Sequence, residues 1–394
     1  MTPASLSRRR FLQGSAVLTA SAALGACRDE PDAAPTSTTR PTPTPAPDGT
    51  LVVVTLTGGN DALNTVCPVE DPIYRSARGA LALDPASTFD IGDGFALHPA
   101  LGRMKALWDT DRLAVVHGVG FDGLDRSHFH CMDVWQAADT DDVTTGWIGR
   151  WLDLGGTDPI DAIAVGGSLP LLVRGAKRAG AVLPAGPFVL PGDAALHAQL
   201  TDQSAEDDDR SPLEASVARS SIDLLAMADT IGPVVATASA EETLTARLQT
   251  VAALIDADLP TRAYAVDLGG FDTHAAQATT HAALLAELDT ALGDFVEHVS
   301  DRRQVTVVVY SEFGRRVAAN GSGGTDHGGA GTVLVAGQVR PGHHGEPPPL
   351  DALVDGDLAT SVDFRAVYAG LLEDVLGIDA GDVLGQAPKA LRLV

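Results

Sequence analysis

The chain has 394 residues, 45% of them hydrophobic, which is enough for one large or two ordinary domains with a real core. Lysine and arginine number 27 against 52 acids, a formal charge of −25. That balance excludes a nucleic-acid binder, which should be basic; acidity of this kind serves solubility.

In chain order, Ser7-Arg8-Arg9-Arg10-Phe11-Leu12-Gln13 reads as a twin-arginine export signal. The small-residue apolar stretch after it, 14–26, is too short and too weak to span a membrane. Leu24-Gly25-Ala26-Cys27 reads as a lipobox, with Cys27 as the lipidated first residue of the mature chain. The alternative is cleavage nearby with Cys27 idle. Residues 1–26 are therefore expected to be a signal peptide handled by the twin-arginine export machinery. Residues 27–49 are rich in Pro, Thr and Ala and cannot pack a core, so they are expected to form an extended tether. One domain is expected over residues 50–394, held at the outer face of the cytoplasmic membrane by the lipid on Cys27.

The domain begins with a β-branched run, 51–57 (LVVVTLT), which reads as a strand buried on both faces and so belongs to a parallel sheet. It ends in Gly58-Gly59-Asn60-Asp61. An irregular stretch, 68–99, leads to a short helix at 100–108. The second strand, 113–119, is followed by Asp125-Arg126-Ser127-His128, with Ser127 capping a helix to about residue 138. A short helix is expected at 147–152, short strands at 162–165 and 171–173, and an acidic loop at 201–210. Long helical patterns cover 212–231 and 241–256. Strand 263–268 ends in Gly269-Gly270-Phe271-Asp272-Thr273-His274. Helix 276–299 and strand 305–310 complete a βαβ unit, and Ser311, Glu312, Arg315 and Arg316 follow. A glycine-rich loop then delivers Thr325-Asp326-His327-Gly328 to a strand at 332–336. A loop at 341–349 and a final helix at 364–376 close the chain. Strands alternating with helices mean an α/β fold with a mostly parallel central sheet. The chain contains no P-loop, no GxGxxG after the first strand and no GxSxG.

Four strand ends present acids, His or Ser, and ligands of open α/β sheets bind beyond the carboxyl ends of the strands. Asp61, Asp272, His274, Glu312, Asp326 and His327 are the candidate metal ligands. Carboxylates with imidazoles suit Zn²⁺ or Mn²⁺; carboxylates alone suit Mg²⁺ or Ca²⁺. Taken singly, each has a plainer reading, His274 as a turn residue and Asp61 as a helix cap. Ser127 stands at a helix N-terminus, whose partial positive charge stabilises an alkoxide, and a metal ion would activate its hydroxyl further. Its plainer reading is an ordinary N-cap. Arg126 and Arg315 could hold a phosphate or sulfate bidentately, or could form salt bridges. With Cys27 acylated, Cys67 and Cys131 remain. Both follow strand ends, so a bridge in an oxidising compartment and two independent buried thiols are both open.

The set GGND, RSHF, GGFDTH, SEFGR and GTDHG behind a twin-arginine signal resembles the bacterial domain-of-unknown-function family 1501, in the alkaline phosphatase/sulfatase superfamily, over residue 51 to the end. The resemblance implies a three-layer α/β/α, alkaline-phosphatase-like fold. It implies that Asp61, Asp272, His274, Glu312 and His327 hold divalent metal and that Ser127 attacks a small anionic ester of phosphate or sulfate. Ser311-Glu312 stands where superfamily phosphatases carry an Asp-His pair, and Ser127–Cys131 lacks the formylglycine motif of sulfatases. The rival expectation is a non-catalytic envelope protein that keeps the fold and binds a ligand.

Overall fold

The computed structural model describes residues 49–190, 192–204, 209–300, 304–386 and 388–394. The expected signal peptide and all but the last residue of the expected tether lie outside the described residues.

Among the described residues twelve strands follow in chain order: β1 Thr50–Thr57, β2 Val66–Cys67, β3 Phe89–Asp90, β4 Ala96–Leu97, β5 Leu113–Gly120, β6 Ala162–Val165, β7 Ala181–Leu183, β8 Ala263–Gly269, β9 Val305–Ser311, β10 Gly331–Gly337, β11 Gly342–His344 and β12 Val362–Asp363. Nine of them form the main sheet, in the order β11-β5-β10-β9-β1-β8-β6-β7 with β12 also on β5, and β2, β4 and β3 form a small separate sheet. The β-branched run of β1 lies at the centre, parallel to β8 on one side and β9 on the other, with Val54 opposite Val266 and Val309. Among the described strands of the main sheet β10 alone is reversed, antiparallel to both β9 and β5. The expected mostly parallel sheet is therefore present.

Alternation along β1 divides the core between two faces. Val52, Val54 and Leu56 join one apolar cluster, together with Met104, Leu254, Leu288 and Phe295 from the helices Gly102–Asp109, Leu244–Asp256 and Gln277–His298. Leu51 and Val53 join the other, with Val134, Trp135, Ile148 and Val367 from His128–Ala137, Trp147–Gly155 and Phe364–Leu371. Helices thus cover both faces, giving the three-layer α/β/α arrangement. Local sequence explains the helix starts. Ser211 and Glu214 form a capping box around Pro212 at the head of Pro212–Ile231. Helix Gly102–Asp109 has no cap of its own, and Asp289 accepts from the free amides of Arg103 and Met104 at 3.0 and 2.8 Å.

Three local expectations are corrected. Leu171–Val173 is a 3₁₀ turn, and the edge strand is Ala181–Leu183. Part of the expected acidic loop is the end of helix Ala194–Ser204. Gly342–His344, within the expected loop, adds a strand to β5. Of the two readings left open for Cys67 and Cys131, the structure has two free, buried thiols and no bridge. Cys67 sits in β2 with its thiol on the carbonyl of Ala96 at 3.0 Å, in the cluster around Tyr74. Cys131 lies on the first turns of His128–Ala137 and packs under the main sheet. The two strand ends carry their cysteines into different cores. Burial pushes each thiol up to about 12, so neither is a ready nucleophile.

Candidate metal centre

The site is built on the edge where β1, β5, β8 and β9 end. Because β10 runs backwards, the segment before it reaches the same edge and brings His327 there. Two glycines make the crossing after β1 possible. Gly58 and Gly59 have φ of +118° and +70°, and a Cβ on Gly59 would stand 2.4 Å from the Phe313 ring.

Four side-chain atoms converge. His327 Nε2 lies 3.0 Å from His128 Nε2, 2.9 Å from His274 Nε2 and 3.1 Å from Asp272 Oδ1. Asp272 Oδ1 is also 3.0 Å from His274 Nε2 and 3.4 Å from His128 Nε2. His128, Asp272 and His327 each offer one ligand atom, all within 4.8 Å of one another. Each imidazole is held by its other nitrogen. His128 Nδ1 donates to Glu312 Oε1 at 2.7 Å, His327 Nδ1 to the Arg126 carbonyl at 2.9 Å and His274 Nδ1 to Asp326 Oδ1 at 3.1 Å. A neutral imidazole with a proton on Nδ1 carries a lone pair on Nε2. The lone pairs of His128 and His327 and the Asp272 oxygen are therefore crowded together, with that of His274 beside the last two, an arrangement a bound cation would stabilise.

The donor set fits a divalent metal. Tetrahedral zinc with bonds of about 2.0–2.1 Å places its ligand atoms about 3.3 Å apart, and the separations among His128, His327 and Asp272 run from 3.0 to 3.4 Å, with His274 beside the last two. Burial raises the Asp272 carboxyl, but the hydrogen bond and the charge of Arg315 are chief among the effects that outweigh it and hold it at about 2. It is an anion at any physiological pH.

The predicted site residues separate into groups. Asp272, His274 and His327 meet at the cluster. Glu312 is fully buried one step behind it: Oε1 accepts from His128 and from the Gly58 amide at 2.9 Å, and Oε2 accepts from the Ser311 hydroxyl at 2.9 Å. Asp326 is exposed and orients His274, accepting also from Asn320 at 3.1 Å. Acceptors of this kind fix ring orientation and raise ligand basicity.

Asp61 lies away from the cluster. Both of its oxygens face the guanidinium of Arg78, one nitrogen at 2.8 Å, and Gln277 donates to Oδ2 as well. Both side chains of the pair are fully buried. Burial alone would raise the Asp61 carboxyl; the charge and hydrogen bonds of Arg78 reverse this and hold it below the usual carboxylate value. Gln277 in turn accepts from Thr325 at 2.7 Å, and Asn60 accepts from buried His281 at 2.9 Å. Burial keeps His281 neutral, depressed to about 4.

Arg315 is buried within the protein and does not reach the surface. Its Nε donates to the Gly59 carbonyl at 2.7 Å, Nη1 to Thr325 at 2.9 Å, and Nη2 to Phe271, Gly58 and, at 2.7 Å, Asp272. It clamps the strand-end loops and Asp272 together. Arg126, at φ +61°, donates from Nε and Nη2 to Asp357, which Arg316 approaches at 3.7 Å from the other side. Ser127 Oγ caps its helix, accepting from the His130 amide at 3.5 Å, and the residue is half-buried beside His128. Two residues absent from the sequence-based candidates stand out, His128 and Arg78. His128 was legible as a seventh imidazole or carboxylate bearer; Arg78 ends the helix Pro72–Arg78 within the stretch expected to be irregular, and gave no signal.

No helix among the described residues is long and apolar enough to cross a membrane. No curated protein matches the sequence. Among solved structures, the chain is similar to the C-terminal periplasmic domain of EcEptC from Escherichia coli in complex with Zn, at 10% identity over 75% of this chain and 77% of that one, with a TM-score of 0.38. It is similar to the lipooligosaccharide phosphoethanolamine transferase A (EptA) from Neisseria meningitidis at 10% identity and TM-score 0.37, over 75% of this chain and 49% of that chain, about half of its length. A protein in the alkaline phosphatase superfamily from Vibrio parahaemolyticus is similar at 9% identity over 76% of this chain and 62% of that one, with a TM-score of 0.33. Residues 191–383, which carry Asp272, His274, Glu312 and His327, match the family described as Protein of unknown function (DUF1501). That span is similar to the family its strand-end motifs resemble.

Proposed function

We propose that this protein is an exported, metal-dependent hydrolase of small phosphate or sulfate esters. The observation that carries the reading is the convergence of His128 Nε2, His327 Nε2 and Asp272 Oδ1, with His274 Nε2 beside the last two and each imidazole tied off at Nδ1. His128, Asp272, His274 and His327 would hold the cation, with Glu312 orienting His128 and Asp326 orienting His274. Bound there, a divalent ion supplies positive charge that acidifies a neighbouring hydroxyl and offsets charge on an ester oxygen.

Ser127 is the nucleophile in this reading, because its hydroxyl precedes a cluster residue by one position and sits at a helix N-terminus. The Ser127 oxygen would bond to phosphorus or sulfur as the bond to the leaving alcohol breaks, the serine proton passing to that alcohol. Water would then cleave the serine ester, restoring the hydroxyl and releasing the inorganic anion. Arg126 is the anion holder of choice. Its partner Asp357 is shared with Arg316, so two guanidinium groups balance one carboxylate at the rim. Arg315 acts differently, by fixing Asp272.

The test is turnover of aryl phosphates and aryl sulfates by the mature chain loaded in turn with Zn²⁺, Mn²⁺, Mg²⁺ and Ca²⁺. Ser127→Ala should lower turnover by about a thousandfold or more while metal content stays at the wild-type level. No turnover of either ester class with any metal would sink the enzyme, leaving a metal-holding binding protein. Export and anchoring are part of the same proposal and rest on Ser7–Gln13 and Leu24–Cys27. The Cys27→Ser chain should leave the membrane fraction and still be exported; wild-type protein with an unmodified mature N-terminus would overturn the anchor.

A further inference from the structure

A second site lies on the main sheet apart from the metal cluster. A pocket of about 180 Å³ opens beside β5 and β10, lined among others by Leu63, Val66, Phe95, His117, Thr332 and Pro348. None of the converging metal-site side chains lines it. Its walls are mostly apolar, with Asp71, Thr332 and His117 as the polar side chains, and His117 is only 4% exposed.

The tautomer of His117 follows from its neighbours. His343 Nε2 lies 3.1 Å from the carbonyl of Ile91, which can only accept, so that nitrogen carries the proton. His343 Nδ1 is then an acceptor, and it lies 2.9 Å from His117 Nε2, which must donate. Neutral His117 is left with a lone pair on Nδ1, for which the described residues supply no donor. Burial, reinforced by His343 and His344, keeps this imidazole neutral, its value depressed to about 4. The Phe95 ring packs on it at 4.5 Å between centroids. The carboxylate at the pocket edge, Asp71, is already engaged by the amide of Ile73 at 2.7 Å. The pocket therefore offers one buried neutral acceptor and an aromatic wall, with the Asp71 carboxylate only part-buried.

From this we infer that the pocket binds a compact, uncharged molecule with an apolar body and one O–H or N–H donor, which the donor directs to His117 Nδ1. A cavity of about 150 Å³ takes up benzene, so this one suits a ligand of roughly six to eight non-hydrogen atoms. Phenol is the simplest probe of that class. The inference does not depend on the metal centre.

The experiment compares phenol with benzene on the full mature chain, following the imidazole resonances of His117 by NMR. Phenol should bind saturably and move those resonances. Benzene, equal in size and without a donor, should bind about tenfold more weakly, as loss of one hydrogen bond implies. His117→Phe should bring the two probes to equal affinity, with its melting curve checked for folding. Equal binding of phenol and benzene by the wild-type chain, or phenol that leaves His117 unmoved, overturns the proposal without recourse to any variant. A pocket that takes up neither probe holds water only and overturns it too.

Discussion

Replacing Arg78 by methionine should destabilise the fold by about 3–5 kcal/mol, the range for removing one partner of a buried ion pair. The substitution nearly keeps volume, so the loss is electrostatic and not a cavity effect. It leaves Asp61, fully buried, with Gln277 as its sole side-chain donor in place of a bidentate guanidinium. The dependence on pH gives the sharper test. In the wild type Asp61 titrates below its ordinary value of 3.8. The unfolded chain therefore takes up the proton first on acidification, and this contribution to stability is complete above 3.8 and lost as pH falls below it. Without Arg78, burial dominates and raises the carboxyl instead. The variant's deficit should then be greatest at neutral pH and shrink as the solution is acidified. Urea unfolding of both proteins across pH measures this. Asp61→Asn combined with Arg78→Met should recover part of the loss, because no uncompensated charge remains. A deficit of constant size at all pH values would mean that the pair is not the source of the effect.

Zinc should raise the melting temperature of the wild-type chain, since a ligand at 100 times its dissociation constant stabilises the native state by about 2.7 kcal/mol. His128→Ala and His327→Ala should each abolish that response by removing a converging Nε2. Glu312→Gln should weaken zinc about 10–100-fold, the usual cost of losing the carboxylate that orients a ligating imidazole. Asp326→Asn should matter less, because Asp326 is exposed where Glu312 is fully buried, and water can replace it behind His274. Competition with a chromophoric chelator gives the affinities, and melting curves with and without chelator give the linkage. A wild-type chain that takes up none of Zn²⁺, Mn²⁺, Mg²⁺ or Ca²⁺ would end the metal reading. So would histidine variants that hold zinc as tightly as the wild type.

The strands β1, β5, β8 and β9 were legible from sequence, because unbroken β-branched runs have few other uses. Polar residues at their ends marked the working edge for the same local reason. Which of those residues work together was a tertiary matter. Glu312 meets His128 across 184 positions, and Asp61 finds Arg78 17 positions on, at the end of the helix Pro72–Arg78. Residue type told which atoms were available; it could not tell which nitrogen of an imidazole would face inward. That choice is made by the acceptor behind each ring, a carboxylate for His128 and His274 and a backbone carbonyl for His327. Nor does the sequence of β10 reveal its reversal, since a buried strand reads alike in either direction, yet that reversal is what brings His327 to the edge. The arginines show the same limit. Arg315 and Arg126 carry the same group in similar loops, and only the packing of Gly58, Gly59 and Phe271 around Arg315 commits it to the interior. Local sequence thus determined the layers and the edge. The division into converging ligands, orienting acceptors and buried ion pair depended on contacts between segments that lie far apart in the chain, where geometry and burial decide which polar group is left to face another.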